Sequence, residues 1–283
     1  MAKISGRLSR RATTRLAVAA ITAALVGTGA SAFAAEVGDA PMYGIAGVDS
    51  TGASYYYAPN GEGGLQPRAA YDTGLKDVTF LGRVDNDADN LADGRWQTNA
   101  AGVLSYAAEG NLPLENVGHG WGIYNKLVSA GNVGGGEAGD LLGRDASGYL
   151  YLYLGYGDGT VTKRYTVGGG WNAYTQIAGN GDLTGDGKND IVARDKAGVL
   201  WLYKGTGNYK APFASRTKIG AGWNTYNTVF APGDINLDGR TDLIGRDADG
   251  ALYLYAGTGN AAAPYGSRVK IGNGGWNTYR LIF

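Results

Sequence analysis

Cysteine is absent from the 283-residue sequence, and histidine occurs once, as His119. The first absence excludes disulfide bridges, thiol nucleophiles and cysteine zinc sites. The second leaves no Ser-His-Asp constellation or histidine zinc set to assemble. A lone His inside Val-Gly-His-Gly-Trp reads as a loop residue. Long apolar runs are also scarce. The one at Leu16–Val26 falls short of the roughly 20 residues that a membrane-spanning helix needs, and no later segment supplies one. Beyond it, no stretch sustains a helical period. Basic tracts are missing after Arg15, which argues against nucleic acid or an anionic membrane as partner.

Lys3, Arg7, Arg10, Arg11 and Arg15 precede the apolar run, and Ala32-Phe33-Ala34 follows it. A positive leader, a short apolar core and an A-x-A site predict a signal peptide over residues 1–35, hence a secreted, extracellular protein. The Arg10-Arg11 pair leaves Sec and twin-arginine export both open. All five leader charges are basic. Subtracting them from a balanced 25 Lys+Arg and 25 Asp+Glu leaves a net charge of −5. An exported chain without disulfides must hold its loops by other means, and bound metal is one.

What is abundant is glycine, at 50 residues, beside 20 tyrosines and 6 tryptophans. Low-complexity disorder lacks such aromatics; short strands joined by tight turns combine them with glycine. The sequence repeats itself. Gly143-Arg144-Asp145-Ala-Ser-Gly148-Tyr-Leu-Tyr-Leu-Tyr153 recurs from Ala193 to Tyr203 and from Gly245 to Tyr255, with weaker copies at Gly47–Tyr57 and Thr98–Tyr106. A second phrase, Trp-x-x-Tyr, stands at Trp121/Tyr124, Trp171/Tyr174, Trp223/Tyr226 and Trp276/Tyr279. Each unit reads as four strands, in the best copy Tyr226–Phe230, Leu243–Arg246, Leu252–Ala256 and Arg268–Ile271. Four short strands repeated every fifty or so residues predict an all-β, five-bladed β-propeller of four-stranded blades over residues 36–283. The first predicted strand, near Tyr43–Val48, is of the second type, and the last, Tyr279–Phe283, is of the first type. Pairing these N- and C-terminal strands would complete the fifth blade and remove two open sheet edges.

Three acidic loops lie between first and second strands. Asp85, Asp87, Asp89 and Asp93 form one; Asp182, Thr184, Asp186 and Asp190 the next; Asp234, Asn236, Asp238 and Asp242 the third. Oxygen-bearing side chains fall at positions 1, 3, 5 and 9, with Asn90, Gly187 or Gly239 at position 6, where a bend needs positive φ. Ca²⁺ takes six to eight hard oxygen ligands. Leu91, Lys188 and Arg240 at position 7 can each add a backbone carbonyl. One copy would equally suit a solvated Asp-Gly turn, but three copies in register point to Ca²⁺. Position 12 is Trp96, Ala193 or Gly245, never Glu, so these are not EF-hands. The equivalent stretch Asn132–Asp140 keeps only its last acid, and the chain-end blade lacks the loop. Three calcium sites are expected.

These residues resemble the FG-GAP/VCBS repeats, the calcium-loop blades of integrin-type propellers, across 42–283. Secreted actinobacterial proteins with such repeats share the phrases Leu-Tyr-x-Gly-Thr-Gly and Gly-Trp-Asn-x-Tyr. The resemblance implies a propeller, calcium and a binding or adhesive role. The ending Arg268–Phe283 also looks like the repeat of tachylectin-type five-bladed lectins, which bind N-acetylated sugars, although Ala262–Ser267 lacks their Asp-Asn-Trp segment.

A binding module, most naturally a multivalent carbohydrate-binding one, is the reading that uses the repetition. Trp121, Trp171, Trp223 and Trp276, with Tyr151, Trp201 and Tyr253, offer flat apolar area suited to sugar faces. The same tryptophans would suit inter-blade core, and both uses stay open. A monomer that binds a glycan or a surface protein is expected. The alternative is an adhesion scaffold at the cell surface or in the matrix. A polysaccharide-active enzyme fits less well, because the regularly placed acids are already accounted for by the loops.

Overall fold

The computed structural model describes residues 40–110 and 114–283; the expected signal peptide lies outside them. Five antiparallel four-stranded sheets follow one another along the chain. The first contains β1 (Ile45–Asp49), β2 (Ser54–Tyr57) and β3 (Ala69–Asp72). The second contains β4 (Val78–Val84), β5 (Gly94–Asn99), β6 (Leu104–Ala108) and β7 (Glu115–Gly118). The third has β8 (Tyr124–Gly131), β9 (Asp140–Asp145), β10 (Leu150–Tyr153) and β11 (Tyr165–Gly168). The fourth has β12 (Tyr174–Ala178), β13 (Ile191–Asp195), β14 (Leu200–Tyr203) and β15 (Thr217–Gly220). The fifth has β16 (Tyr226–Gly233), β17 (Asp242–Asp247), β18 (Leu252–Tyr255) and β19 (Val269–Gly272). The last strand, β20 (Tyr279–Ile282), returns to the first sheet and pairs with β1. The fold is the five-bladed propeller that the repeat predicts, and the chain ends share a blade as expected. Gly47 faces Ile282, and Ala46 and Phe283 exchange backbone hydrogen bonds of 2.8 and 3.0 Å.

Local sequence explains the elements. In β10, β14 and β18 the Leu-Tyr-Leu-Tyr or Leu-Trp-Leu-Tyr alternation buries each Leu and leaves each ring half-buried, a period of two on a pleated strand. The second strands β9, β13 and β17 are buried on both faces through their first four residues, so adjacent apolar residues, Leu141-Leu142, Ile191-Val192 and Leu243-Ile244, replace the alternation. The two repeat phrases meet inside a blade, in β8–β11 and in β16–β19. A Cβ on Gly143 would lie 3.0 Å from the ring of Tyr124, and one on Gly245 would lie 2.8 Å from that of Tyr226. Glycine opens the Gly-Arg-Asp phrase because the Trp-x-x-Tyr tyrosine lies flat on it.

Trp-x-x-Tyr is itself a structural unit. Trp121–Ile123, Trp171–Ala173, Trp223–Thr225 and Trp276–Thr278 are single 3₁₀ turns, each entered through a left-handed glycine. One turn is too short to leave a helical period, so the sequence shows only the spacing. The arginine of each Gly-Arg-Asp or Ala-Arg-Asp phrase reaches the next blade. Arg144 donates to the carbonyls of Trp171 and Tyr174, Arg194 to those of Trp223 and Tyr226, and Arg246 to those of Trp276 and Tyr279. Each arginine thereby ties its own second strand to the 3₁₀ turn of the next blade.

Residues Ala40–Gly44 precede the first strand and touch several blades. The Pro41 carbonyl accepts the Asp234 amide at 2.7 Å, the Met42 amide donates to the Asn90 carbonyl at 3.0 Å, and Arg83 donates to the Tyr43 and Gly44 carbonyls. A Cβ on Gly181 would stand 2.9 Å from Pro41 Cδ. Ala40 and Tyr43 are buried.

Candidate functional site

All three acidic loops are built by the carboxylate at position 1. Asp85 accepts the amides of Asp87, Ala88 and Asn90 at 3.1, 2.8 and 2.8 Å. Asp182 accepts those of Thr184, Gly185 and Gly187 at 2.8, 2.7 and 2.6 Å. Asp234 accepts those of Asp238 and Gly239 at 3.1 and 2.7 Å. Position 6 has positive φ in each loop, as expected, at 65° for Asn90, 77° for Gly187 and 83° for Gly239. Position 4 does so as well, through Ala88 and Leu237 at 61° and Gly185 at 77°. The sequence does not reveal this second bend, because Ala and Leu carry no signal for it. Left-handed backbone at a residue with a side chain costs about 1–2 kcal/mol, and such strain gathers at ligand clamps.

Asp85, Asp87 and Asp89 bring carboxylate oxygens within 4.8 Å of one another. Burial, reinforced by neighbouring acids, raises the Asp85 and Asp93 carboxyls above their usual range, and burial does the same to Asp234. A cation between these oxygens would relieve the repulsion. In the other two loops Thr184 and Asn236 take position 3, still with oxygen donors. In the second loop Lys204 Nζ also stands 3.1 Å from Asp186. This all-oxygen donor set, with strained turns at its corners, fits Ca²⁺.

Position 9 does something further. Asp190 accepts the Leu183 amide at 3.0 Å and the Gly205 amide at 2.8 Å, tying its loop to the turn after the third strand. Asp242 does the same with Ile235, Asn236 and Gly257 at 2.8, 3.2 and 2.9 Å. Asp140, in the loop that has lost its other acids, accepts Val133, Gly134 and Gly155 at 3.0, 2.7 and 3.2 Å. The last acid therefore satisfies buried backbone donors in each of these blades, which explains why it persists at Asp140.

Burial pushes the Asp140 carboxyl from 3.8 up to about 7, against the pull of those three amides. The folded value lies above that of the open chain. Its stabilising contribution is thus full below pH 3.8 and is lost as pH rises through about 7. Asp140→Asn removes this titration and leaves one amide facing an NH₂ group. Thermal unfolding in calcium-free buffer is expected to show the variant gaining on the wild type as pH rises from 4 to 8. A melting-temperature difference that stays constant over that range would contradict the assignment.

Elsewhere a set of four residues repeats in register. In blade β8–β11, Trp121 packs 4.5 Å from Tyr153 and 5.7 Å from Tyr124 between ring centres, the two phenols share a hydrogen bond, and Arg164 lies 4.5 Å over Tyr151. The next blade places Trp171, Tyr174, Tyr203 and Arg216 alike, with Arg216 4.0 Å over Trp201. Blade β16–β19 uses Trp223, Tyr226, Tyr255 and Arg268, the last 4.7 Å over Tyr253. In the closing blade Trp276 and Tyr279 come from the C-terminus, and Tyr57 and Arg68 from the N-terminal strands. A cleft of about 380 Å³ opens there, lined by Tyr57, Arg68, Gly274, Gly275, Trp276, Thr278 and Tyr279.

The four tryptophans are only 6–8% exposed and belong to the cores between blades. The half-buried rings Tyr151, Trp201 and Tyr253 sit beneath the arginines. His119 is exposed and 3.1 Å from Asn116. The arginines escape the repeat alignment because loops of unequal length precede them. Their signal is a fixed offset: Arg68, Arg164, Arg216 and Arg268 each stand four residues before Asp72, Gly168, Gly220 and Gly272.

Among the described residues no helix is long and apolar enough to cross a membrane. No curated protein matches the chain. Among solved structures, the BP39L lectin from Burkholderia pseudomallei is 13% identical, covers 82% of this chain and 71% of its own, and gives a TM-score of 0.48. PorZ, a surface component of the type-IX secretion system of Porphyromonas gingivalis, is 16% identical over 77% of this chain, with a TM-score of 0.38; the match spans 28% of that protein. Human WBSCR16 is 10% identical over 79% of this chain and 65% of its own, with a TM-score of 0.35. Residues 182–245, from the second acidic loop through most of β17, match the FG-GAP-like repeat family, so this five-bladed propeller carries FG-GAP-like repeat sequence.

Proposed function

We propose that the chain is a secreted, calcium-stabilised binding module that engages carbohydrate at several equivalent clefts. The observation that carries this reading is the register-equivalent Trp–Tyr–Tyr–Arg set on four of five blades. The buried tryptophans anchor each set from the core side, while the half-buried Tyr57, Tyr153, Tyr203 and Tyr255, the exposed guanidiniums and nearby backbone groups are the parts that meet a sugar. Four weak sites on one rigid ring multiply affinity for a polymer by roughly 10²–10⁴. Calcium belongs to the support of this ring, held by the side-chain oxygens of the three loops and by the carbonyls of Leu91, Lys188 and Arg240. Buried acids that bond backbone amides, such as Asp140, are poorly placed for general acid–base work, so binding without turnover is favoured.

A glycan array read with Ca²⁺ and again with EDTA tests the proposal. Retention of a defined sugar class in calcium, weakened by chelation, is the expected result. An array blank under both conditions would overturn the carbohydrate reading and leave a protein-binding scaffold as the alternative.

A further inference from the structure

Building on the carbohydrate reading, we infer that the clefts select sugars bearing a carboxylate, through Arg68, Arg164, Arg216 and Arg268. All four arginines are exposed. Each lies over a ring of its own blade at 4.4, 4.5, 4.0 or 4.7 Å. Two of them also donate to a tyrosine hydroxyl of the blade, Arg268 to that of Tyr226 at 3.1 Å and Arg216 to that of Tyr174. A guanidinium fixed by its face and one N–H is already oriented. Its remaining N–H groups form the planar fork that matches a carboxylate bidentately. Pre-ordering lowers the entropic cost of binding.

Neighbouring charge does not use these arginines up. The ion pairs found among the described residues are Arg95–Asp72 and Lys204–Asp186. The nearby acids are tied to the other edge of the stacked rings: Asp195 accepts Trp201 Nε1 at 2.8 Å, and Asp145 accepts the Tyr151 hydroxyl at 3.3 Å. Lys163, Lys218 and Lys270 sit within two residues of three of the arginines and add to the positive rim. In the closing blade Gly274 and Gly275 line the cleft together with Arg68. A Cβ on Gly275, or on its counterparts Gly170 and Gly222, would meet nothing within 4 Å, so the space beside these glycines is open.

The blade β4–β7 acts as an internal control. Register places Leu75 at the tryptophan position, Val78 and Ala107 at the two tyrosines and Leu114 at the arginine. All four members are lost together, yet the blade forms. The set is therefore not demanded by blade formation, and its members behave as one unit.

The test uses hyaluronan, polysialic acid and polygalacturonate, each beside its carboxyl-reduced neutral counterpart, with dextran sulfate as a charge control, at fixed calcium. At least one acidic polymer is expected to bind tenfold or more tightly than its reduced form. Replacing the arginines one at a time with glutamine should lower that affinity about tenfold or more per site on short oligosaccharides, with the melting temperature lowered by no more than about 4 °C for the lost ring contact. Loss on Arg→Gln also separates cleft binding from calcium bridging to the acidic loops. Equal binding of acidic and reduced polymers, or of dextran sulfate at equal strength, would overturn the carboxylate inference while leaving the lectin reading intact. Failure of every polymer, together with a blank array, would overturn both.

Discussion

Removal of Tyr279–Phe283 is expected to cost the protein its cooperative unfolding transition and to make it aggregate. Those five residues supply β20, the inner strand of the closing blade. Tyr279 is 4% exposed and packs against Gly47, while Leu281, Ile282 and Phe283 are half-buried. Burial of one large apolar side chain is worth about 1.5–3 kcal/mol, and each ladder hydrogen bond adds about 1 kcal/mol net. Together the losses approach the 5–15 kcal/mol by which whole domains are stable. The deletion also unpairs β1, whose buried residues would then present an open apolar edge to other chains. Arg280 bonds the carbonyls of Leu75 and Val78 in the next blade, so the seam on the other side weakens too. Size-exclusion chromatography and urea unfolding read the outcome. A monomeric truncant with an unchanged single transition would mean that the ring does not depend on its closing strand.

Calcium removal should have the second-largest effect. An ion that binds only the folded chain adds about 2.7 kcal/mol per site at a hundredfold excess over its Kd. In a domain of this size that corresponds to roughly 5–10 °C per occupied site. EDTA is therefore expected to lower the melting temperature by that amount per loop. Asp89→Asn, Asp186→Asn and Asp238→Asn should each remove one ion from the bound stoichiometry while sparing the position-1 carboxylates that shape the loops. Identical melting curves with and without chelator would refute the metal assignment. The strained left-handed backbone at Ala88 and Leu237 suits this expectation, since the free energy stored there is more easily held with an ion in place.

Much of the fold was legible in the sequence because the repeat is carried by residues whose placement is local. The Leu-Tyr alternation announces the third strand, the apolar doublets after Asp140, Asp190 and Asp242 the second, and the positive-φ residues at position 6 the loop bends. Less legible were features that depend on contacts across blades. Nothing local marks Pro41 and Met42 as partners of Asp234 and Asn90, and nothing in the spacing of the acids says that position 9 also satisfies backbone donors. The tryptophans illustrate a different limit. Their repetition is plain, but burial between blades is decided by the neighbouring sheet. The arginines beside them became visible only once strand register fixed which residues face one another.

The offset between the chain's ends and its blade boundaries bears on how such a protein can grow. Copying a segment from one Gly-Trp phrase to the next would insert a blade and leave the pairing of β1 with β20 undisturbed. Ala40–Gly44 imposes a stricter condition, because Gly181, Asp234 and Asn90 lie in three different blades and must all converge on five residues. An array lengthened by duplication would keep its closing strand but move those blades apart. Blade number is thus recorded twice in this chain, once in a pairing that tolerates expansion and once in a short leading segment that does not.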